Sequence, residues 1–432
     1  MKKTVRGLSA LLGAVLLCIA ANFLAFAIDT KDMREHTWQG CLLLGEQQAV
    51  PQAVSGFYSA QMDNFTSVLI LKTAGYVGPE RLTQKAFGGY RVDMPAQEGQ
   101  SEWDAFCNYE FGELSPTGGG MSYSRYWHGY TLPLRLLLCV LDVANLQMLL
   151  YFAQLALLLA VLHLMDRRGL RRLMPGFFLS FFLLMPFSSS ICLQYVPVTM
   201  LMLLSSVCVL LGDRQIERAV GMPAFFALLG LLTNYLDLLT FPLVSLGYPL
   251  LLLLALRMRR GESGKSLFCT TALCGVSWAL GYGGMWALKW LINALVFGWQ
   301  MLGNVFAQIG LRASDNSGTI SRVAVLMENL GVILDKKSYL LLLLLFAAVT
   351  LAPAGRTVAR RQGVHLDLRA LNLLLPAAAV CLWYIVMANH AHDHTYFTYR
   401  SMTVAVFSAF ACLSCLLEPN RHDAGCISDE VI

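Results

Sequence analysis

The stretch WLINALVFGWQMLGNVFAQIGL, from Trp290 to Leu311, carries no charged side chain. About 20 such residues suffice to cross a bilayer as a helix, so at first sight the segment is a membrane span. A span here reverses the orientation of everything after it. Arg356, Arg360 and Arg361 then share a side with the long polar loop near the N-terminus, against the excess of Lys and Arg that cytoplasmic loops carry. The segment is therefore expected to lie in the interface or to re-enter the membrane, with Gly298, Gly303 and Asn304 interrupting it.

Composition supports a membrane setting for the rest. Of 432 residues, 56% are hydrophobic and only 14% charged, and the mean hydropathy is +0.57; an ordinary soluble domain has about 25% charged residues. Lipid-exposed backbone has to be helical to satisfy its own hydrogen bonds, so the expected class is an all-α polytopic membrane protein. The net charge of +5 implies no nucleic-acid partner, because the basic excess sits in short loops where orientation explains it.

Apolar runs occupy about 7–28, 143–165, 173–189, 194–212, 219–235, 241–256, 267–287, 338–354, 370–388 and 401–417, which gives about ten transmembrane helices. The first follows Lys2, Lys3 and Arg6. It exceeds the roughly 7 to 15 apolar residues of a signal peptide and is taken as an uncleaved span. Basic clusters at Arg167 to Arg172, Arg214 and Arg218, Arg257 to Lys265, Arg356 to Arg361 and Arg421 all fall on one side. Both termini are then cytoplasmic in a multi-pass cell-membrane protein. A single transmembrane domain covers 1–418, with a large extracytoplasmic loop over 29–130 and a cytoplasmic tail over 419–432. The loop has helical patterning in 31–48 and 63–77 and Gly/Pro/Ser punctuation from Ser115 to Gly120. A loop of that size normally carries function or a small domain. Tyr130 to Asp142, with Arg135 embedded, is expected along the interface. There is no internal repeat of the kind common in secondary transporters.

Most of the twelve cysteines lie in apolar runs, where Cys acts as a small hydrophobe. Cys412 and Cys415 are spaced C-x-x-C but within a span. Cys41 and Cys107 share the large loop, where a disulfide is permitted but not demanded.

Four polar groups recur at helix ends on the loop side. Asp63 precedes an apolar run and suits an N-cap, a reactive carboxylate, or both; Asn64-Phe65-Thr66 has the pattern of a glycosylation acceptor. Tyr123 to Tyr130 sets Arg125 and His128 among aromatics, as sugar stacking, phosphate binding or an interfacial belt would require. Asp237 stands between two runs with hardly any loop, as a structural or a ligand contact. Asn389 to Arg400 holds three of the eight histidines. If that turn is helical, His390 and His394 share a face; if it is extended, His390, His392 and His394 align. Metal binding needs further ligands that the spacing does not fix, so no metal set is assigned. Phosphate recognition suits the group better, with Arg400 offering a bidentate fork and the histidines adding donors.

The arrangement of one span, a large outer loop with acidic residues and many further spans resembles the GT-C superfamily of lipid-linked-sugar glycosyltransferases. More closely, Asp63-Asn64-Phe65-Thr66, Arg125 to Tyr130, Asp237 to Pro242, and Asn389 to His394 with Phe397, Tyr399 and Arg400 are similar to a group of Gram-positive membrane proteins of GT-C type. The resemblance implies transfer of a sugar from a polyprenyl-phosphate donor to a glycan, lipid or wall-polymer acceptor at the extracytoplasmic face, with inversion. GT-C enzymes carry the catalytic carboxylate in the first outer loop. Asp29, Asp32, Glu35 and Asp63 compete for that role, and Asp63 leads because Asn64 and the helix start match the group's motif. Arg125, His128, Asp237, His390, His394 and Arg400 are then the phosphate- and substrate-binding set. No Asp-x-Asp or Asp-Glu pair follows the first span, which leaves the base and any divalent metal open; no cofactor is implied. Two other classes stand beside this one. A transporter or lipid flippase would use His390, His392 and Asp393 as a proton relay, although the mid-span regions are almost free of charge. A noncatalytic scaffold would use the 29–130 loop.

Overall fold

The computed structural model describes residues 2–108, 120–313, 321–359 and 364–419. The Ser115 to Gly119 part of the loop punctuation and the tail beyond 419 lie outside the described residues.

The fold is almost wholly helical, with two short two-stranded ribbons, Tyr90–Arg91 on Met121–Ser122 and Val364–Leu366 on Leu417–Pro419. Among the described residues six helices are long and apolar enough to cross a membrane: Lys2–Ala25, Val143–Arg167, Val196–Ala219, Lys337–Ala359, Leu368–Val386 and Thr395–Leu416. The other apolar runs take different forms. The run at 173–189 breaks into Met174–Leu183 and Pro186–Ile191 around Met185, whose φ of 56° is left-handed. Met222–Leu236 is short. Leu243–Arg259 is sheathed on all sides, with every residue from Leu243 to Leu256 buried. A helix that is apolar all round belongs at the centre of a bundle, and this one packs against Val196–Ala219, Gly264–Phe297 and Met402–Leu416.

Trp290 to Leu311 forms no span of its own. Helix Gly264–Phe297 runs straight through its first half, stops at Gly298 (φ 102°), and a second helix, Met301–Ala313, follows. At 1.5 Å per residue the 34-residue helix is about 51 Å long, well beyond a hydrocarbon core of about 30 Å. Its last turns pack on the large loop, where Lys289 donates to the Phe87 carbonyl and Trp127 donates to the Met285 carbonyl.

The large loop is a small helical layer. Lys31–Gly45 and Asn64–Gly75 match the expected helices, begun by Thr30 and Asp63 whose side chains accept backbone N–H bonds. Their facing sides share a core with Met33, Leu44, Val68, Leu71 and Leu134. Cys41 and Cys107 are both buried in that core as free thiols. Asn64 is buried too, donating to Gln47 and to the Gln48 carbonyl, which closes it to glycan attachment.

Arg135, the charge embedded in 130–142, turns inward. It is 1% exposed and donates to the carbonyls of Ala25, Ile28, Ala74 and Tyr76. These oxygens stand at and just past the ends of two helices, where carbonyls lack intrahelical partners. One guanidinium thereby ties the first helix to the loop layer.

Candidate functional site

Asp63 is both a cap and part of a wider constellation. Its Oδ1 accepts the Thr66 N–H at 2.7 Å and its Oδ2 accepts the Thr66 hydroxyl at 2.8 Å, which begins helix Asn64–Gly75. The same Oδ2 accepts the Tyr396 phenol at 3.1 Å from the far end of the chain. At 4% exposure, burial raises the carboxyl above its ordinary range, while the Thr66 and Tyr396 bonds and nearby His394 act against that rise. The competing carboxylates sit elsewhere. Asp32 and Glu35 lie on the exposed side of Lys31–Gly45, Glu35 accepting from Gln39, and Asp29 faces Arg34 at 3.6 Å. Among the described residues none of the three makes a hydrogen bond or ion pair with the histidine turn, whereas Asp63 does through Tyr396.

The histidine turn is helical. Ala388–Asp393 and Thr395–Thr398 place the His390 and His394 rings edge to face, with centroids 4.8 Å apart. His390 Nε2 donates to the Leu239 carbonyl at 2.8 Å, and burial, helped by His394, holds its pKa down to about 3. It is a neutral imidazole of fixed orientation at neutral pH, which removes the charged phosphate donor expected of it. His394 is half-buried and stacks on Phe397 at 5.1 Å. Burial lowers its pKa, and the negative charges of Asp393 and Asp63 oppose that. Its ring nitrogens carry no hydrogen bond among the described residues. His392 instead pairs with Glu328 at 2.8 Å on the exposed side.

Three other expected ligand residues are structural. Arg400 is fully buried, donating to the carbonyls of Leu184, Tyr396, Ser59 and Gln61 and to the Ser188 hydroxyl, with its guanidinium 4.4 Å from the Tyr195 ring. A guanidinium so engaged has no fork left for a phosphate. Asp237 is 3% exposed and accepts from the backbone N–H and hydroxyl of Thr240, closing its own turn. Burial raises its pKa to about 6 in spite of those bonds. The turn includes left-handed Leu239, whose carbonyl receives His390, so Asp237 acts on the site by shaping this support. His128 has both nitrogens engaged, with the Tyr130 phenol at 2.7 Å and the Tyr123 carbonyl at 2.8 Å, and burial holds its pKa at about 3.

Arg125 stands apart from these buried residues. It is exposed and lines a cavity of about 320 Å³ with Tyr123, Ser124, Trp286, Trp290, Asn293 and Arg312. The two indoles lie 5.1 Å apart and 34° from coplanar. Asn293 donates to the Ser124 carbonyl at 2.7 Å, and its buried Oδ1 meets no donor among the described residues. Arg312 donates to the Tyr126 phenol at 3.0 Å and lowers the basicity of both His390 and His394 through its charge, smaller effects than burial. It links the cavity to the Asp63 and His394 group. Helix Met301–Ala313 sets it there, held by the Asn389 side chain donating to the Leu311 carbonyl.

Arg312, Trp286 and Asn293 were not among the residues singled out from sequence. The available signal was the basic residue closing an otherwise uncharged, amphipathic segment. Chemically, the Asp63 carboxylate and the Arg312 guanidinium both act on His394, and Arg312 lines a cavity with Arg125 and an indole pair, a set that suits proton transfer beside an anion. Among the described residues no group of three or more His, Cys, Asp or Glu side chains is placed to hold a metal ion. Comparison of the chain with family models, with curated proteins and with solved structures returns no match.

Proposed function

We propose that the protein is a membrane glycosyltransferase of GT-C type with about ten membrane segments, transferring a sugar from a polyprenyl-phosphate donor to an acceptor at the extracytoplasmic face. The supporting observation is that Asp63 and Arg312, from distant parts of the chain, both act on His394, and that Arg312 also lines the Arg125 cavity. Asp63 takes the proton of an acceptor hydroxyl in the position that the Tyr396 phenol now fills. The hydroxyl oxygen bonds to the anomeric carbon as the bond from that carbon to the phosphate oxygen breaks, with inversion. Both electrons of the broken bond leave with the polyprenyl phosphate, whose charge Arg125 and Arg312 stabilise. The indole pair gives the sugar or the first isoprene unit a flat apolar wall. The His394 ring, whose nitrogens carry no hydrogen bond among the described residues, orients the acceptor.

The test is in cells. Asp63→Asn keeps a competent helix cap, so the protein accumulates normally while a surface-glycan modification present in wild type disappears. An unchanged glycan profile with Asp63→Asn at normal protein level overturns the proposal.

A further inference from the structure

A second cavity, of about 450 Å³, opens at the opposite end of the bundle. It lies where helix Val143–Arg167 ends, where Leu243–Arg259 ends, and where Met402–Leu416 ends. Along that last helix the 14 residues between Arg400 and Ser414 span about 21 Å, so this cavity is remote from Asp63 and His394. Arg171, Arg172, Arg259 and Arg369 line it, together with a single carboxylate, Asp367.

The charges around the cavity do not cancel. Arg369 grips the buried Asp367 with Nη2 to Oδ2 at 2.6 Å and Nε to Oδ1 at 2.9 Å. Arg171 pairs with Asp166. Arg259 donates only to the Gly169 carbonyl, at a left-handed turn with φ 68°. The exposed Arg172 guanidinium makes no ion pair or hydrogen bond among the described residues; only its backbone carbonyl is used, by Ser414 at 3.0 Å. Among the described residues, two of the four cations, Arg172 and Arg259, thus face no carboxylate. The floor beneath them is apolar and buried, formed by Leu170, Leu173, Ala255 and Met258. Positive groups above an apolar floor at the basic end of membrane helices match a phosphodiester whose remainder is hydrocarbon.

We propose that this cavity holds the headgroup of an anionic phospholipid from the cytoplasmic leaflet, its phosphate between Arg172 and Arg259. The leaflet follows from the positive-inside bias of this end. The site is independent of the proposed transferase centre, and neither depends on the other.

The test uses the purified full chain in neutral detergent, with phosphatidylglycerol, phosphatidylcholine or inorganic phosphate as probes, reading retained lipid by native mass spectrometry and the thermal midpoint. Phosphatidylglycerol is expected to be retained at one copy and to raise the midpoint, at least tenfold more effectively than phosphatidylcholine. Arg172→Gln, which breaks no side-chain bond among the described residues, should reduce that preference severalfold, and Arg172→Gln with Arg259→Gln should abolish it. Arg214→Gln with Arg218→Gln, at the same end but outside the cavity, should leave it intact. Equal retention of the two lipids, an unaltered preference in Arg172→Gln, or the same midpoint shift with inorganic phosphate alone overturns the assignment.

Discussion

The Tyr396 phenol donates to Oδ2 of Asp63 at 3.1 Å across 333 residues of chain. This bond joins the first loop to the last helix pair at the carboxylate proposed as the base. It favours the ionised carboxylate, so its loss moves the Asp63 pKa further upward. Tyr396→Phe is therefore expected to keep transfer activity but shift the acid limb of its pH profile to higher pH. Asp63→Asn should reduce activity by about 10²-fold or more, the usual scale for a lost general base. The measurement is sugar transfer against pH by the two purified variants; coincident acid limbs for wild type and Tyr396→Phe refute the coupling.

Arg400 gives a different kind of prediction. Its removal leaves four carbonyls and the Ser188 hydroxyl without their donor in a sealed interior. Each buried acceptor left without a donor costs about 1–3 kcal/mol. Arg400→Ala should lower the yield of folded protein sharply, and Arg400→Lys should not rescue it, because one ammonium cannot reach the same set of oxygens. Size-exclusion profiles in detergent check this. A well-folded, inactive Arg400→Ala would restore the phosphate clamp that the buried geometry argues against.

The buried histidine makes stability depend on acid. His390 titrates at about 3 in the fold and near 6.5 when unfolded. Because the folded value is depressed, the neutral ring's contribution is complete above about pH 6.5 and is lost as pH falls towards 3, by at most about 1.4 kcal/mol per pH unit. Asp237, raised to about 6, acts in the opposite sense between its ordinary range and pH 6. Comparing wild type with His390→Gln cancels that term. The thermal midpoint of wild type should fall more steeply than that of the variant between pH 6.5 and 5, and parallel slopes would exclude the effect.

Two glycines set the spacing of helices Met222–Leu236 and Gly264–Phe297. A Cβ at Gly230 meets the Trp278 carbonyl, and one at Gly281 meets the Ala227 carbonyl, both rigid backbone. Such close approach is typical where small residues bring membrane helices together. Gly230→Ala and Gly281→Ala should each cost about 1–3 kcal/mol through overpacking. Gly275→Ala, on the same long helix with open space around it, should be neutral or slightly stabilising. Thermal unfolding of the three variants decides.

The loop helices could be read from sequence because their starts are local chemistry: Thr30 and Asp63 cap them wherever the rest of the chain lies. Asp63 and His394 were also legible, as polar groups at the mouths of apolar segments. What composition does not carry is whether a polar side chain turns inward. Arg400, His128 and Asp237 have the same identities whether they face a ligand or satisfy buried carbonyls and turns, and only their tertiary neighbours separate the two. The apolar run at 173–189 hides its break at Met185 for a related reason: a backbone turn enclosed by protein needs no polar residue to mark it. Arg312 gained meaning only when Met301–Ala313 was laid against the histidine turn.

The placement of Arg400 also bears on biogenesis. Ser59, Gln61, Leu184 and Ser188 are all synthesised long before the arginine that ties them together. Until helix Met402–Leu416 has inserted, their oxygens lack this donor and the Tyr396 phenol is not seated on Asp63. One guanidinium thus couples the seat of helix Met402–Leu416 to that of the Asp63 loop, so a change that loosens either should loosen the other.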